Sequence, residues 1–409
     1  MRKPGAYTIY LSLEGLSALI FALIFTFDLV YQSQVAHLSP VQLVLIGTIL
    51  ESTIFLLEIP TGVVADVHSR RLSVIIGIFL IGAGFLLEGS IPRFWAIALA
   101  QVLWGAGYTF TSGATQAWIS DEIGEARAGQ AFLRGSQAGQ TGSLVGLLAS
   151  MVLVNVSVNL PILVGGGMFL LLGLFLLIAM PEEGFSPTPP SERETWKHMA
   201  ATFRSGLHMV RLRPVLLSIL GIGLFYGLYS EAYDRLWVKL ILDNYTLPAL
   251  GSLDPLLWFG VLRLGSLGLS AAVTEVVRRR LDTNSHAATA RSLMGFTLGL
   301  IAGLLIFALS PAFWVTVAAF VLISVTRSLI GPIYSAWVNQ RLDSRVRATV
   351  LSMSGQVDAI GQIAGGPPLA LVGSLVSVRA AIVASSAVLT PVLFLYRRVL
   401  RQNGELAPE

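Results

Sequence analysis

Cysteine is absent from this chain of 409 residues, which excludes disulfide bonds and thiolate ligands or nucleophiles. None of the five histidines stands at metal-ligand spacing from another. The sequence also lacks a phosphate-binding Gly-rich loop that ends in Lys and Ser or Thr, and no Ser-His-Asp arrangement is apparent. We therefore expect no cofactor, no metal site and no enzymatic activity.

Charge is also scarce. Asp, Glu, Lys and Arg together make up 12% of the residues, whereas a soluble domain carries about 25%. So few charges cannot cover the surface of a soluble protein. The formal net charge of +4 is spread over many short connections, and we expect no nucleic-acid binding from it.

Apolar residues dominate instead, at 54% of the chain. They recur in blocks of about 20 residues, the length with which a helix crosses roughly 30 Å of hydrocarbon. This pattern predicts an all-α polytopic membrane protein with twelve transmembrane helices. The predicted spans cover residues 9–31, 40–65, 72–87, 94–119, 130–154, 160–180, 214–242, 255–277, 292–309, 312–338, 348–375 and 380–396.

The distribution of Lys and Arg predicts the orientation, because these residues concentrate in cytoplasmic loops. Connections rich in cations alternate with connections that hold only Arg93 and Arg379, so both termini are predicted to be cytoplasmic. The polar, Pro-rich segment 181–213 is predicted to be a cytoplasmic linker with an amphipathic surface helix, the alternative being a partly ordered linker. It separates a predicted N-terminal bundle, residues 1–180, from a C-terminal bundle, residues 214–409.

The two predicted halves contain similar sequence patterns at corresponding positions, which favours two pseudo-symmetric six-helix bundles. In the loop after the second span of each half, an acidic residue is followed four and five positions later by arginines. These residues are Asp66, Arg70 and Arg71 in the first half, and Glu275, Arg279 and Arg280 in the second.

The first of these loops resembles the signature loop of the major facilitator superfamily, Gly-x-x-x-Asp-x-x-x-Arg-Arg. Gly62, Asp66, Arg70 and Arg71 match it, and the preceding Glu58-Ile-Pro-Thr resembles drug-efflux members of that family. The resemblance implies a secondary transporter with the twelve-helix major facilitator fold. In such proteins the Asp and Arg of this loop hold the two halves together on the cytoplasmic side in one conformation.

By position, Asp66 carries that switching role here, and the resemblance offers Arg127, after the fourth span, as its partner. Gln101 stands where efflux members often carry an arginine, which is a departure from the family pattern. The residues assigned to the conformational switch are Gly62, Asp66, Arg70, Arg71, Arg127, Glu275, Arg279 and Arg280.

Ionisable side chains deep in a span cost about 3 kcal/mol or more, so they are expected to face the bundle interior and to pair. Glu51 and Glu58 lie seven residues apart and share one helical face. The functional reading is that carboxylates exchange protons, and the alternative is that each one permanently neutralises an arginine and only fixes helix packing. The candidate proton carriers are Asp28, Glu51, Glu58 and Asp358.

Other polar and aromatic residues inside the spans are candidates to line a substrate cavity. Flat aromatic surface would suit a lipophilic or aromatic solute, and the alternative is that the rings only pack or face lipid. Glu231 and Arg235 are four residues apart and can pair on one helical face. The candidates are Gln101, Trp104, Tyr108, Arg134, Gln137, Tyr226, Tyr229, Glu231, Tyr233, Asp234, Arg235, Arg327, Gln356 and Gln362.

The leading hypothesis is proton-coupled efflux of a small amphipathic or lipophilic solute by alternating access. Uptake or facilitated diffusion of a specific solute is the alternative within transport. A membrane receptor or scaffold on a transporter-like fold is the alternative from another class, and the lack of a substantial extramembrane domain disfavours it. The expected partners are the solute, protons and the bilayer of the plasma or inner membrane, and the expected state is a monomer.

Overall fold

The computed structural model describes residues 5–187, 189, 214–281, 285–340 and 344–404. Regular structure in these residues is helical, apart from an isolated bridge between Leu250 and Leu253. The predicted all-α class is therefore confirmed. The predicted amphipathic helix of the linker lies outside the described residues.

The helices are numbered in chain order, with a π-helical turn (Tyr31–Val35) after the second. The first eight are α1 (Ala6–Phe25), α2 (Asp28–Val30), α3 (Pro40–Val67), α4 (Arg70–Ser90), α5 (Phe94–Thr111), α6 (Ala114–Ile123), α7 (Glu125–Leu153) and α8 (Leu160–Ala179). The others are α9 (Pro214–Asn244), α10 (Leu257–Arg280), α11 (His286–Leu309), α12 (Phe313–Gln340), α13 (Ser344–Leu375), α14 (Val378–Leu389) and α15 (Pro391–Gly404).

These helices form the twelve predicted membrane crossings. The first crossing combines α1, α2 and the π-helical turn, the fourth combines α5 with α6, and the twelfth combines α14 with α15. Within the described residues, nine crossings are long and apolar enough to span a membrane by hydropathy alone. The fourth, fifth and eleventh are not among them, because the fourth is interrupted and α7 and α13 carry many polar residues.

The first and twelfth spans are interrupted rather than continuous, and two further corrections bear on the sites described below. The third was expected to end at residue 87, but α4 continues to Ser90 and so includes Glu88. The fourth was expected to be one helix over 94–119, but it breaks between α5 and α6. Gly113 occupies the break with φ of 71°, a left-handed conformation that glycine adopts without a steric penalty.

The chain divides into two compact units. Unit 1 contains the described residues within 1–38, 49–199 and 248–260, and unit 2 contains those within 39–48, 200–247 and 261–409. The predicted bundles, 1–180 and 214–409, differ from these units in two short segments, at the start of α3 and before and within the first turn of α10. Those predicted boundaries stay a prediction.

In unit 1, α1 packs directly against α7, and α4 packs against α5 and α8. Glycines on α7 allow the backbones of α1 and α7 to approach each other closely. A Cβ atom added at Gly142 would overlap the carbonyl oxygen of Gly15, and one added at Gly146 would overlap that of Leu19. Small residues of this kind let two membrane helices approach backbone to backbone.

Unit 2 repeats this arrangement with the corresponding crossings. The seventh crossing, α9, packs against the eleventh, α13, and α11 packs against α12. A Cβ atom added at Gly227 would overlap the carbonyl oxygen of Asp358, and one added at Gly365 would overlap that of Leu228. The matched contacts agree with the predicted pseudo-symmetry of the two six-helix bundles.

Candidate functional site

Unit 1 contains a buried cluster of two acids and two amides, Asp28, Gln32, Glu88 and Gln101, which we call the acid–amide cluster. Gln32 Nε2 donates hydrogen bonds to Asp28 Oδ2 at 2.9 Å and to Glu88 Oε1 at 2.7 Å. Gln101 Nε2 donates to the second oxygen, Glu88 Oε2, at 3.1 Å. Asp28 and Gln32 are four residues apart, which brings them to the same side of the chain where α2 passes into the π-helical turn.

The acid–amide cluster is sealed from solvent. Glu88 and Gln32 are 0% exposed and Asp28 is 4% exposed. Trp104 covers one end, where its Nε1 donates to Gln101 Oε1 at 3.0 Å. Gln32 Oε1 is buried and has no hydrogen-bond partner, so this cluster holds an acceptor that an added proton would satisfy.

Asp28, Gln101 and Trp104 were predicted as site residues, whereas Gln32 and Glu88 were missed. Glu88 lies one residue beyond the predicted end of the third span. That span was only 16 residues long, so extending it to membrane length would have captured the carboxylate. Gln101, the departure from the efflux pattern, acts here as an amide donor to Glu88.

The remaining predicted carboxylates of α3 behave differently. Glu51 is half-buried, and Glu58 is exposed. Asp28 is therefore buried and Glu58 is exposed, and the proton-carrying role of Glu51 and Glu58 stays a prediction. An exposed carboxylate on a spanning helix requires water or headgroups beside it, because hydrocarbon cannot solvate the charge.

Unit 2 contains a cavity of about 460 Å³, which we call the tyrosine cavity. Helices α9, α12 and α13 supply most of its walls. Tyr334 and Ser354 also line it, and the Tyr334 hydroxyl donates to the Ile219 carbonyl oxygen at 2.8 Å. Six predicted candidates line the tyrosine cavity: Tyr226, Tyr229, Asp234, Arg327, Asp358 and Gln362.

An arginine–carboxylate pair lies in the tyrosine cavity. Arg327 binds Asp234 through both terminal nitrogens, with Nη2 at 2.8 Å from Oδ2. The guanidinium carbon of Arg327 lies 6.0 Å from the ring centre of Tyr229 and 5.7 Å from that of Tyr233. Two-pronged binding and aromatic faces both fix the plane of the guanidinium, so the pair presents a defined polar surface to the cavity.

Asp358 is the second carboxylate of the tyrosine cavity, and it accepts a hydrogen bond from Gln362 Nε2 at 2.8 Å. Tyr226 places its hydroxyl 2.6 Å from that of Thr297. The tyrosine cavity thus combines flat aromatic walls, two carboxylates and one guanidinium.

Four predicted candidates lie outside this lining: Glu231, Tyr233, Arg235 and Gln356. The predicted pair of Glu231 and Arg235 is confirmed, with Arg235 Nε at 3.0 Å from Glu231 Oε1. That pair packs against Gly47, where an added Cβ would overlap Glu231 Oε1. Because the close glycine contact covers it, Glu231 is buried rather than turned toward the tyrosine cavity.

Unit 1 contains a second cavity, of about 680 Å³, which we call the arginine cavity. The predicted candidates Arg134 and Gln137 line it together with Arg127. Tyr108 is not part of this lining; it is exposed on α5, with its ring centre 6.4 Å from that of Trp104.

The loop between α3 and α4 is tied to α6. Arg70 Nη1 bonds the carboxylate of Asp121, which the sequence did not predict, and the Ala117 carbonyl oxygen at 3.1 Å. Asp66 Oδ1 lies 3.8 Å from Arg70 Nη2. Glu182 accepts from the Arg71 backbone N–H at 2.9 Å, which satisfies a free donor at the start of α4.

Arg127 is not the partner of Asp66 in this structure, so that expectation is wrong here. Its Nε donates to the carbonyl oxygen of Ile123 at 2.8 Å. Ile123 is the last residue of α6, where the helix leaves carbonyl groups without an intrahelical donor. Arg127 therefore supplies a hydrogen-bond donor to one of these unsatisfied carbonyl groups.

Among the described residues, the ion pairs of the corresponding loop of unit 2 lie within its own helix. Glu275 accepts from Arg278 Nε at 2.7 Å and from Arg279 Nε at 2.6 Å. Both arginine side chains are about 70% exposed, at 70% and 72%. Arg280 follows on the exposed end of α10.

Twelve crossings that enclose buried polar sites define a multi-pass integral membrane protein of the transporter class. Residues 10–366 match the Major Facilitator Superfamily, and the chain belongs to that family. It is an integral protein of the cell membrane.

The chain is similar to the uncharacterized MFS-type transporter YxaM of Bacillus subtilis (strain 168). The two are 23% identical over 361 residues, which cover 87% of this chain and 86% of that protein. The narrower resemblance to drug-efflux members stays a prediction.

Solved structures match over almost the whole chain. The nucleoside transporter NupG matches with a TM-score of 0.74 and 12% identity, over 97% of this chain and 99% of that chain. The peptide transporter POT in complex with sulfate matches with a TM-score of 0.73 and 13% identity, over 97% and 95%. At these identities the likeness establishes the fold and nothing finer.

Proposed function

We propose that this protein exports a small amphipathic solute in exchange for protons, by alternating access. The tyrosine cavity is the observation that carries the proposal. Its volume of about 460 Å³ falls within the range of about 300–1,000 Å³ typical of small-molecule sites. Tyrosine rings offer flat apolar surface to the solute, while Asp234, Arg327 and Asp358 orient its polar group.

Proton exchange is assigned to the acid–amide cluster, with Glu88 added to the predicted carrier Asp28. Their carboxylates share one amide nitrogen, Gln32 Nε2. Each carboxylate lies within hydrogen-bond distance of that one nitrogen, so two full charges there would repel by about 3 kcal/mol even at an effective dielectric constant of 20. A single proton on the pair removes this repulsion and supplies a donor for the acceptor-rich cluster. Loading and release of that proton would then drive the cycle.

Efflux is the proposed direction because the residues before Gly62, Glu58-Ile-Pro-Thr, resemble those of drug-efflux members. The loop contacts of Arg70 with Asp66 and Asp121 supply the switch. Breaking them would release α4 from α6 and free the loop for the other conformation.

The test is solute flux in proteoliposomes under an imposed pH gradient, with ethidium as a fluorescent cationic probe. We expect proton-driven ethidium flux in the efflux direction. Asp28→Asn and Glu88→Gln should each lower it by at least about tenfold, because each removes a group that carries the proton. Glu125→Gln is the matched control, since it removes an exposed carboxylate at the start of α7, outside the acid–amide cluster and the tyrosine cavity.

Each other outcome contradicts a stated part of the proposal. Gradient-driven accumulation in the opposite direction would identify an importer. Flux that follows only the gradient of ethidium, whatever the pH, would identify facilitated diffusion. Normal flux in both Asp28→Asn and Glu88→Gln would remove the acid–amide cluster from coupling.

A further inference from the structure

The arginine cavity of unit 1 differs in chemistry from every other polar site described above. It has a volume of about 680 Å³, and α7 supplies most of its lining. Tyr7 of α1 and Ile123 of α6 complete the wall, and Leu133 of α7 adds apolar surface. Two arginines and two glutamines make up the rest, and none of the described residues that line this cavity is acidic.

The polar members form one stripe along α7. Arg127, Gln130, Arg134 and Gln137 follow each other at intervals of three and four residues, so they share one helical face. All four are exposed, whereas Ala131 and Gly135 of the same helix are buried. A spanning helix that exposes two guanidinium groups must present them to water or to a ligand, because hydrocarbon cannot solvate them.

Neither arginine of this cavity is neutralised by a carboxylate in the described part of the chain. Arg127 Nε donates to the carbonyl oxygen of Ile123 at 2.8 Å, and Arg134 Nη1 donates to Gln137 Oε1 at 3.1 Å. Both acceptors are neutral. In contrast, Arg70 binds Asp121 and Arg327 binds Asp234. The arginine cavity therefore keeps two positive charges and most of its N–H donors available.

We propose that the arginine cavity binds an oxyanion, a carboxylate or phosphate group attached to an apolar body. Arg127 and Arg134 would hold the oxyanion, because the planar guanidinium fork matches both kinds of group. Tyr7, Ile123 and Leu133 would contact the apolar body. The anion can come from a soluble solute or from a lipid headgroup, and the inference stands apart from proton-coupled export.

The test measures equilibrium binding of 2-naphthoate to the full-length protein in phosphatidylcholine nanodiscs. 2-Naphthylmethylamine and 2-naphthalenemethanol provide competitors of similar size with the opposite charge and with none. We expect naphthoate to bind at least about tenfold more tightly than the alcohol, as a charge-assisted contact requires. Arg134→Gln and Arg127→Gln should each remove most of this preference, and Arg134→Lys should keep part of it.

Arg291→Gln is the matched control. Arg291 is an exposed arginine of α11 whose Nε donates to the carbonyl oxygen four residues earlier, as Arg127 does. This variant lowers the net charge by the same amount but lies outside the arginine cavity, so naphthoate binding should not change. Equal binding of the three naphthyl compounds, or equal losses in Arg134→Gln and Arg291→Gln, would overturn the proposal.

A second arm identifies the source of the anion. Nanodiscs that contain phosphatidylglycerol should weaken naphthoate binding if a lipid headgroup occupies the arginine cavity, and should leave it unchanged if the ligand is soluble. Binding needs no gradient, so failure of export is distinguishable from failure of this inference. Asp28→Asn should lose proton-driven flux and retain naphthoate binding, whereas Arg134→Gln should lose the binding.

Discussion

Unit 1 and unit 2 both hold carboxylates within matched sets of helices, but the burial and the bonding partners of these carboxylates differ. In unit 1, Asp28 and Glu88 share the amide of Gln32 and are sealed from solvent. In unit 2, Asp234 binds a guanidinium and faces a cavity, with 41% of its side chain exposed. We propose that the sealed pair of acids carries the proton and that the open acid, which faces the cavity, contacts the solute.

The scaffold beneath these sites is the same in both units. The first and fifth crossings meet through glycine in unit 1, and so do the seventh and eleventh in unit 2. The two units therefore share an arrangement of helices and differ in the side chains placed on it, as expected where a fold supplies positions and individual side chains supply function. Three predictions test which parts of this comparison are shared and which differ.

The largest effects are expected at the glycine contacts that the two units share. Gly146→Val in unit 1 and Gly365→Val in unit 2 should each lower the free energy of unfolding by about 3 kcal/mol, because the side chain would overlap a backbone carbonyl. Thermal unfolding of the detergent-solubilised protein, followed by tryptophan fluorescence, measures the change. Gly268→Val is the control, since its Cβ would meet nothing within 4 Å. A large loss in only one unit would break the structural equivalence.

The second prediction concerns the open pair of unit 2. Asp234→Asn would leave Arg327 without its carboxylate and should weaken binding of a cationic probe such as ethidium by about tenfold. Arg327→Gln would leave Asp234 and Asp358 without the guanidinium and should strengthen that binding by a similar factor. Equilibrium titration of probe fluorescence measures both, and the double variant should return toward the starting affinity.

The two single variants are expected to change ethidium affinity in opposite directions, and this difference distinguishes a binding role of the pair from a structural one. If both single variants weaken ethidium binding equally, the pair only holds α9 to α12. Stability is the internal control here. Both side chains are at least a third exposed, at 41% and 33%, so loss of the pair should cost about 1 kcal/mol or less in the free energy of unfolding.

The sequence predicted contacts within one helix better than contacts between helices. The four-residue spacing of Glu231 and Arg235 was enough to predict their ion pair, because helix geometry alone brings such residues together. Arg327 and Asp234 are 93 residues apart, and both were predicted only as separate candidates. Nothing in local spacing encodes which helix faces which, so the pairing depends on how α9 packs against α12.

The residues that the sequence analysis missed also depend on information that local spacing does not contain. The hydropathy pattern predicted all twelve crossings but placed one boundary short of Glu88, and a buried acid at a helix end looks like a loop residue until the helix length is known. Asp121 was missed because the fourth span was predicted to end at residue 119, whereas α6 continues to Ile123. Arg127 was assigned to Asp66 from family position, yet it binds the nearest free carbonyl at the end of α6.

The smallest effects are expected where the loops of the two units differ. Arg70 bonds Asp121 and Ala117, with 17% of its side chain exposed, so Arg70→Gln should lower the free energy of unfolding by about 1 kcal/mol. Arg279 pairs with Glu275 on an exposed surface, where ion pairs contribute little. Arg279→Gln should therefore leave thermal unfolding unchanged. The two substitutions remove the same charge at equivalent positions, so each controls for the other. If Arg279→Gln destabilises the protein as much as Arg70→Gln, both loops serve as clamps and the asymmetry between the units does not extend to them.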